Sequence, residues 1–343
     1  MAIKISGSTI INDDRVVVNS GNIGMGTADP HKPPAADNTK ILHTGIVTAN
    51  TYYGDGSNLV GAGFSPDDQY NLYAGTNAGA CSDADTCYNV AIGYSAGYAN
   101  VSADSNIFLG QDAGKSITTG SGHGVYIGKS SGGNTSGGDS SIFIGCCAGY
   151  SASNADGTVA IGPNAGKQQT GCRNVFIGCC AGAEGDGVGG GNCNIALGFK
   201  AGGQSIDGKR NVFLGTYAGL RAYGTEDNIF IGHYSGHGDS SADSCKNVGL
   251  GAYTLCNQTF SKANVALGYC AGFNVCNGKY NTFIGMDNSK AFQNGCNNVS
   301  IGSSVEIATG QSDCLAIGVG GCRWICGCCT SNNYNISVNC ITA

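Results

Sequence analysis

The residues most able to do chemistry in this chain are thiols and imidazoles. It carries 19 Cys and five His: His31, His43, His123, His233 and His237. His233 and His237 stand at i and i+4, a spacing that brings two imidazoles to one metal on a helix. Gly236 and Gly238 flank His237, so no helix is expected and the pair reads as surface loop. Asp and Glu number 23 and scatter among turn residues, with no pair recurring in register. A glycan depolymerase needs paired carboxylates across a groove, and nothing singles out two. Gly54-Asp55-Gly56-Ser57-Asn58 reads as a turn and not as a phosphate or calcium loop. No nucleophile elbow, P-loop or dinucleotide fingerprint stands in a strand–helix context. The expectation is a protein that is not an enzyme, with no catalytic residue, no cofactor and no metal.

The cysteines amount to about 5.5% of the chain, short of the ~8–10% of a small secreted disulfide scaffold. Their odd number and the absence of a signal-peptide core at the N-terminus argue against a fully paired secreted framework. Buried thiols assembled under reducing conditions are the expectation. Cys146-Cys147 and Cys179-Cys180 occupy equivalent places, and Cys270 shares the second of them. Cys87, Cys172, Cys245 and Cys296, with Cys193 one place nearer, form another column. A last group, Cys322, Cys326, Cys328, Cys329 and Cys340, leaves three readings open: a metal site, disulfides or free thiols. Its spacing matches no common zinc or iron–sulfur pattern.

What must position these residues is set by composition. Gly is 59 of 343 residues, about 17%, against roughly 7% on average. There is no G-X-Y period and only five Pro, so this is not collagen. At 41% hydrophobic residues it is not a disordered linker either. Strong helix formers are few, which leaves a β-rich chain with many tight corners. The net charge is −6 and no basic run occurs, which disfavours nucleic acid as a partner. No apolar stretch is long enough to span a membrane as a helix, so no membrane insertion is expected.

A repeat governs most of the chain. Asn89-Val90-Ala91-Ile92-Gly93-Tyr94-Ser95-Ala96-Gly97 returns as Asn106-Ile107-Phe108-Leu109-Gly110-Gln111-Asp112-Ala113-Gly114. Further copies open at Asn174 (with Gly178), Asn211 (Gly215), Asn228 (Gly232) and Asn264 (Gly268). The register glycine recurs fifteen times from Gly75 to Gly318, and 243/14 gives a mean spacing of about 17.4 residues. Each unit reads as one short strand, a turn, an Ala-Gly and a second extended piece. The fold class expected is all-β: a parallel β-solenoid of about 15 coils with ~17-residue repeats. Gly and Asn at fixed corners serve positive φ or close stacking, with Asn able to bond along its own stack. Hexapeptide helices, calcium-binding nonapeptides, propellers and leucine-rich repeats all need different periods or residues.

Period-2 alternation places the aliphatic pairs Val90/Ile92, Ile107/Leu109 and Val212/Leu214 on one face. They are expected to point into the core. The residue between them then faces outward, which would expose Phe108, Tyr126, Phe143, Phe176, Phe213, Phe230 and Phe283. An exposed aromatic column marks an interface, so these seven are expected to be buried between chains.

The unit Asn-[Val/Ile]-[Phe/Ala]-[Ile/Leu]-Gly-x-x-Ala-Gly resembles repeats of bacteriophage tail-fibre proteins, of the kind preceding endosialidase-type chaperone domains. It is also similar to the head repeats of trimeric autotransporter adhesins. Asn22-Ile23-Gly24-Met25-Gly26-Thr27-Ala28-Asp29-Pro30 and the segment Gly45 to Leu59 resemble stretches of phage fibres. The resemblance implies an elongated, left-handed homotrimer serving as a virion fibre that attaches to a host receptor or glycan. It implies assembly in the host cytoplasm and contact with other virion proteins through the N-terminal region. The alternatives are a glycan depolymerase on a β-solenoid and a non-viral extracellular filament or adhesin. No chaperone-sized segment follows residue 318 in this sequence.

Three regions follow. Residues 1–66 break the repeat and hold the Pro-rich His31-Lys32-Pro33-Pro34, and read as a β-rich attachment and linker region. Residues 67–318 form the repeat shaft. Residues 319–343 leave the register and read as a Cys-rich cap or tip. Arg323 and Trp324, the latter the only Trp, are its candidate receptor contacts. A cap over the open edge of the last coil is the competing reading.

Overall fold

A computed structural model of the chain describes residues 3–5, 8–11, 66–118, 122–135, 138–183, 191–204, 207–238, 244–330 and 333–338. The chain divides into Met1–Leu59 and Val60–Ala343. In the first unit, β1 (Ile3–Ile5) and β2 (Ser8–Ile11) pair antiparallel. The Pro-rich segment and the other N-terminal motifs lie outside the described residues.

The second unit is the expected all-β parallel solenoid, with about 13 turns of ~17 residues. It runs from β3 (Leu72–Ala74) through three-residue strands, β4 (Val90–Ile92) to β16 (Val299–Ile301), into β17 (Cys314–Val319). Each strand pairs in parallel with the next in register, as Val212, Phe213 and Leu214 of β11 (Val212–Leu214) do with Ile229, Phe230 and Ile231 of β12 (Ile229–Ile231). A second column of single bridges joins the far side of successive coils, from Lys209 through Glu226, Cys245, Lys262 and Lys279 to Cys296. At the C-terminal end β18 (Cys322–Thr330) folds back antiparallel on β17, and β19 (Asn333–Val338) on β18.

Two features hold the coils in register. The first is a buried Asn ladder. The Asn211 backbone N–H donates to Asn194 Oδ1 at 3.0 Å, and Asn211 Nδ2 donates to the Thr225 carbonyl at 2.8 Å. Asn228 repeats the pattern on Asn211, and Asn264 on Asn247. Asn89 and Asn106 take the same place earlier in the stack. At Asn174 the preceding coil carries Thr158, whose hydroxyl accepts in place of an amide. The Asn residues themselves are not left-handed. That conformation falls on the residue before each, such as Arg210 at φ 57° and Asp227 at φ 59°. The Asn side chain thereby turns inward, where its amide bonds two coils at once.

The second is the corner glycine. Gly215 has φ 133°, and a Cβ there would stand 2.7 Å from the Gly232 carbonyl of the next coil. Gly93, Gly110, Gly178, Gly232 and Gly268 make the same close approach to the next coil's backbone. No side chain fits between coils at this corner.

The expected direction of the strand side chains is reversed. Phe108, Tyr126, Phe143, Phe213, Phe230 and Phe283 are 0–1% exposed and Phe176 3% exposed within their own chain. They are core residues and cannot form an interface between chains. The flanking aliphatics expected in the core face outward instead, with Ile107 and Leu109 each 40% exposed. The physical reason is width. The interior admits one strand side chain per coil, and two outward positions remain on either side of it. The rings stack along the axis, Phe108 on Tyr126 at 5.3 Å and Phe213 on Phe230 at 6.0 Å. The glycine six residues on is the seat for the ring: a Cβ on Gly219 would meet the Phe213 ring at 2.3 Å.

Truncating a stacked ring leaves a cavity that the rigid coil cannot close. Phe213→Ala is expected to lower unfolding free energy by about 3–5 kcal/mol, read as a drop in denaturant midpoint. Ile229→Ser, on the outward face, should move the midpoint of the dissociated chain by less than about 1 kcal/mol.

Candidate functional site

The coil offers solvent four surfaces of distinct chemistry: an aliphatic face, an aromatic row, scattered thiols and the terminal hairpin. The aliphatic face comes directly from the strands. Positions one and three of each strand from β4 to β16 are Val, Ile or Leu, Thr282 excepted, and Leu315 and Ile317 of β17 continue them. Ile229, Ile231, Val265 and Leu267 are all exposed to a similar degree. At ~4.8 Å per coil this band is about 67 Å long and about 10 Å wide, close to 700 Å². That exceeds the largest apolar patch of a typical monomer, roughly 300–600 Å².

The aromatic row is a feature the sequence reading passed over. Its signal was present: Tyr217, Tyr234 and Tyr253 each stand two places after a register glycine in three successive units. All three are left-handed, with φ of 58°, 56° and 59°. The rings stack at 4.7 and 5.5 Å between centroids. Phe199 and Tyr269 extend the row at its ends, at 5.3 and 6.0 Å. His233 and His237 pack on it, His233 edge-on to Tyr253 and His237 tilted against Tyr234. The two imidazoles are thus ring contacts on the surface. Among the described residues no group of three His, Cys, Asp or Glu side chains converges on a point that would hold a metal ion.

Lys200 occupies the place of the tyrosines one coil earlier, its Nζ 5.8 Å from the Phe199 ring. Together with Arg221 it lines a shallow groove of about 120 Å³, completed by Cys180, Ala183, Gly203, Gln204 and Leu220. Among the described residues no acidic side chain lines it. Arg221 Nε donates to Gln204 Oε1 at 3.2 Å. On another side of the coil Arg210 bridges to Glu226 and Asp227 of the next coil. It holds the Asp227 carboxyl below the usual carboxylate range, but the pair is exposed and links coils only weakly.

The thiols depart from expectation. Among the described free cysteines only Cys256 and Cys270 are buried, while Cys81, Cys146, Cys193, Cys322 and Cys329 are exposed. The Cys146 and Cys147 sulfurs lie 3.7 Å apart and those of Cys179 and Cys180 3.6 Å, within thiol hydrogen-bond reach and not joined as disulfides. In the C-terminal group Cys328 pairs with Cys314, a residue outside that group, and Cys322, Cys326 and Cys329 stay free. The disulfide joins directly opposed residues of β17 and β18. Cys340 lies outside the described residues.

The hairpin places Arg323 and Trp324 on β18. Trp324 is 49% exposed, and the Arg323 guanidinium donates to the Glu306 carbonyl at 2.6 Å. Arg323 is thereby tied to the last coil. β18 covers the backbone edge that β17 would otherwise leave open, which is the geometry of a cap.

No protein-family model matches this chain, and no curated protein or solved structure shows significant similarity to it.

Burial pushes the Cys256 thiol up to about 12. Brief alkylation of the native chain with iodoacetamide at pH 8, read by peptide mass spectrometry, is expected to label Cys81, Cys146 and Cys193 and to spare Cys256. Without reductant Cys314 and Cys328 should also be spared.

Proposed function

We propose that the chain is a subunit of an elongated structural and adhesive fibre, of the bacteriophage tail-fibre kind its repeats resemble, and that it assembles as a homotrimer. The observation that carries this reading is the long aliphatic face, interrupted at one position by Thr282. A band of Val, Ile and Leu running the length of the solenoid is costly to leave in water. Its area is close to the roughly 800 Å² per partner of a standard stable interface. Its shape is that of a partner equally long and equally straight, which a second and third copy of the same rod supply. Three such bands turned to a common axis would bury one another along the whole shaft. The aromatic row and the turns would remain outside, available for contact with a receptor. A coil period set by backbone pairing suits a spacer, because length is gained simply by adding units.

The test is the mass of the purified chain by sedimentation velocity, in reductant to exclude interchain disulfides. Three times the chain mass is expected, with a frictional ratio well above that of a sphere. Replacing Ile229 and Ile231 by Asp is expected to weaken association at least tenfold while the circular-dichroism spectrum stays β-rich. A wild-type chain that sediments as a monomer at micromolar concentration would sink the proposal, and a dimer would replace the threefold arrangement.

A further inference from the structure

We infer that the row Tyr217, Tyr234 and Tyr253, with the cationic groove of Lys200 and Arg221 at its end, binds an acidic polysaccharide lying along the solenoid axis. This rests on the adhesive role proposed above and names the ligand class of that role. Three observations on separate atoms lead to it. The first is the stack itself. Phenol rings held at 4.7 and 5.5 Å along the axis repeat at about the length of one sugar residue, because the coil spacing of a β-solenoid fixes them. Stacked on one another, the rings offer their edges and hydroxyls more than their faces, a rim part apolar and part polar, which suits a pyranose, apolar on its C–H face and polar at its rim.

The second is rigidity. Each tyrosine is pinned by a left-handed backbone and by its neighbours above and below, so little side-chain entropy remains to be lost on binding. His233 and His237 brace the row from the side. The third is charge. Two cations line one small groove with no acid among its described walls, an arrangement that favours an anion. A planar guanidinium beside an ammonium is well matched to a carboxylate. A uronate on the chain would place its carboxylate there while the following sugars cover the rings. A nucleic acid could also stack on rings beside cations, and single-stranded DNA is therefore one of the comparisons in the test.

The experiment is native affinity electrophoresis of the full chain through gels containing alginate, hyaluronan or polygalacturonate, with hydroxyethylcellulose and single-stranded DNA as comparisons. Retardation by at least one of the three acidic polymers, relieved by added salt, is expected. Tyr234→Ala/Tyr253→Ala and Lys200→Gln/Arg221→Gln should each weaken it about tenfold or more, the size of losing one or two stacking contacts or a charge-assisted pair. The second variant changes only groove-lining polar ends and serves if the first fails to fold. Retardation by none of the acidic polymers overturns the inference. So does equal retardation by hydroxyethylcellulose, or retardation by DNA alone. Unchanged binding in both variants also overturns it. Loss of the oligomer in Tyr234→Ala/Tyr253→Ala would show the row to be an interface between copies, and would overturn it too. A monomeric chain that still binds alginate would defeat the homotrimer and leave this site standing; a trimer that binds nothing would do the reverse.

Discussion

Every coil must lie directly on the one before it, at strand spacing, with no side chain between them at the corner. Gly215 against the Gly232 carbonyl sets that distance, and the Asn211 amide, bonded to Asn194 on one side and to the Thr225 carbonyl on the other, sets the register. The two act together. Glycine permits the approach and the amide chooses which residue approaches which. The rest of the structure is carried by this stacking: ring on ring inside, aliphatic on aliphatic outside, tyrosine on tyrosine at the turn. A side chain placed once in the repeat becomes a column, and a column is a surface with one chemistry along a line.

The columns were legible in the sequence; the side of the wall on which each stands was not. Period-2 alternation separates Phe213 from Val212 and Leu214, but both sets are apolar, so burial could be assigned to either. The structure puts Phe213 inside because a narrow coil has room for one ring per layer. A clue lay in size compensation. The middle position varies between Phe, Tyr, Ala, Gly and Ser, as a packed interior with limited volume requires. Where it is Gly249, the residue six places on is not glycine but Leu255, which is fully buried. Ring and seat have exchanged places. The outward positions show no such exchange and from β4 onward stay Val, Ile or Leu, Thr282 excepted. Uniform branched residues suit a flat face that meets another flat face, whereas compensating volumes belong to a jigsaw.

The thiols show a different limit of sequence reading. Their columns were visible, but whether a column is wet depends on which turn it occupies. Cys146 and Cys179 follow the corner and emerge. Cys270, at the place of Cys147 and Cys180, is buried. Its column therefore has no single environment. The Cys314–Cys328 pair crosses from the last coil to the hairpin, and no repeat spacing could have indicated it, because β18 runs against the direction of the stack. The reversal is itself physical. A parallel stack has no internal way to end, and an antiparallel strand both satisfies the last backbone edge and offers a poor template for further coils.

In the fibre proposed above, two outward columns would divide the work. The aliphatic band has no polar handle and no curvature of its own, so it selects a partner by length and flatness; another copy satisfies both. The tyrosine row lies beyond the glycine corner, three residues after the last outward aliphatic of the same coil, as Tyr217 follows Leu214. A chain that folds its aliphatic bands against one another turns that corner away from the common axis. The rings would then face solvent in every copy, at the same height, because register between coils is fixed and copies are identical. One short row of three rings is a weak site. Repeated on each protomer of a rigid shaft, it becomes multivalent without any further contact within a protomer, and the gain depends on rigidity. The constraint that stacks the coils is thus also the one that would hold the copies' binding rows at fixed spacing.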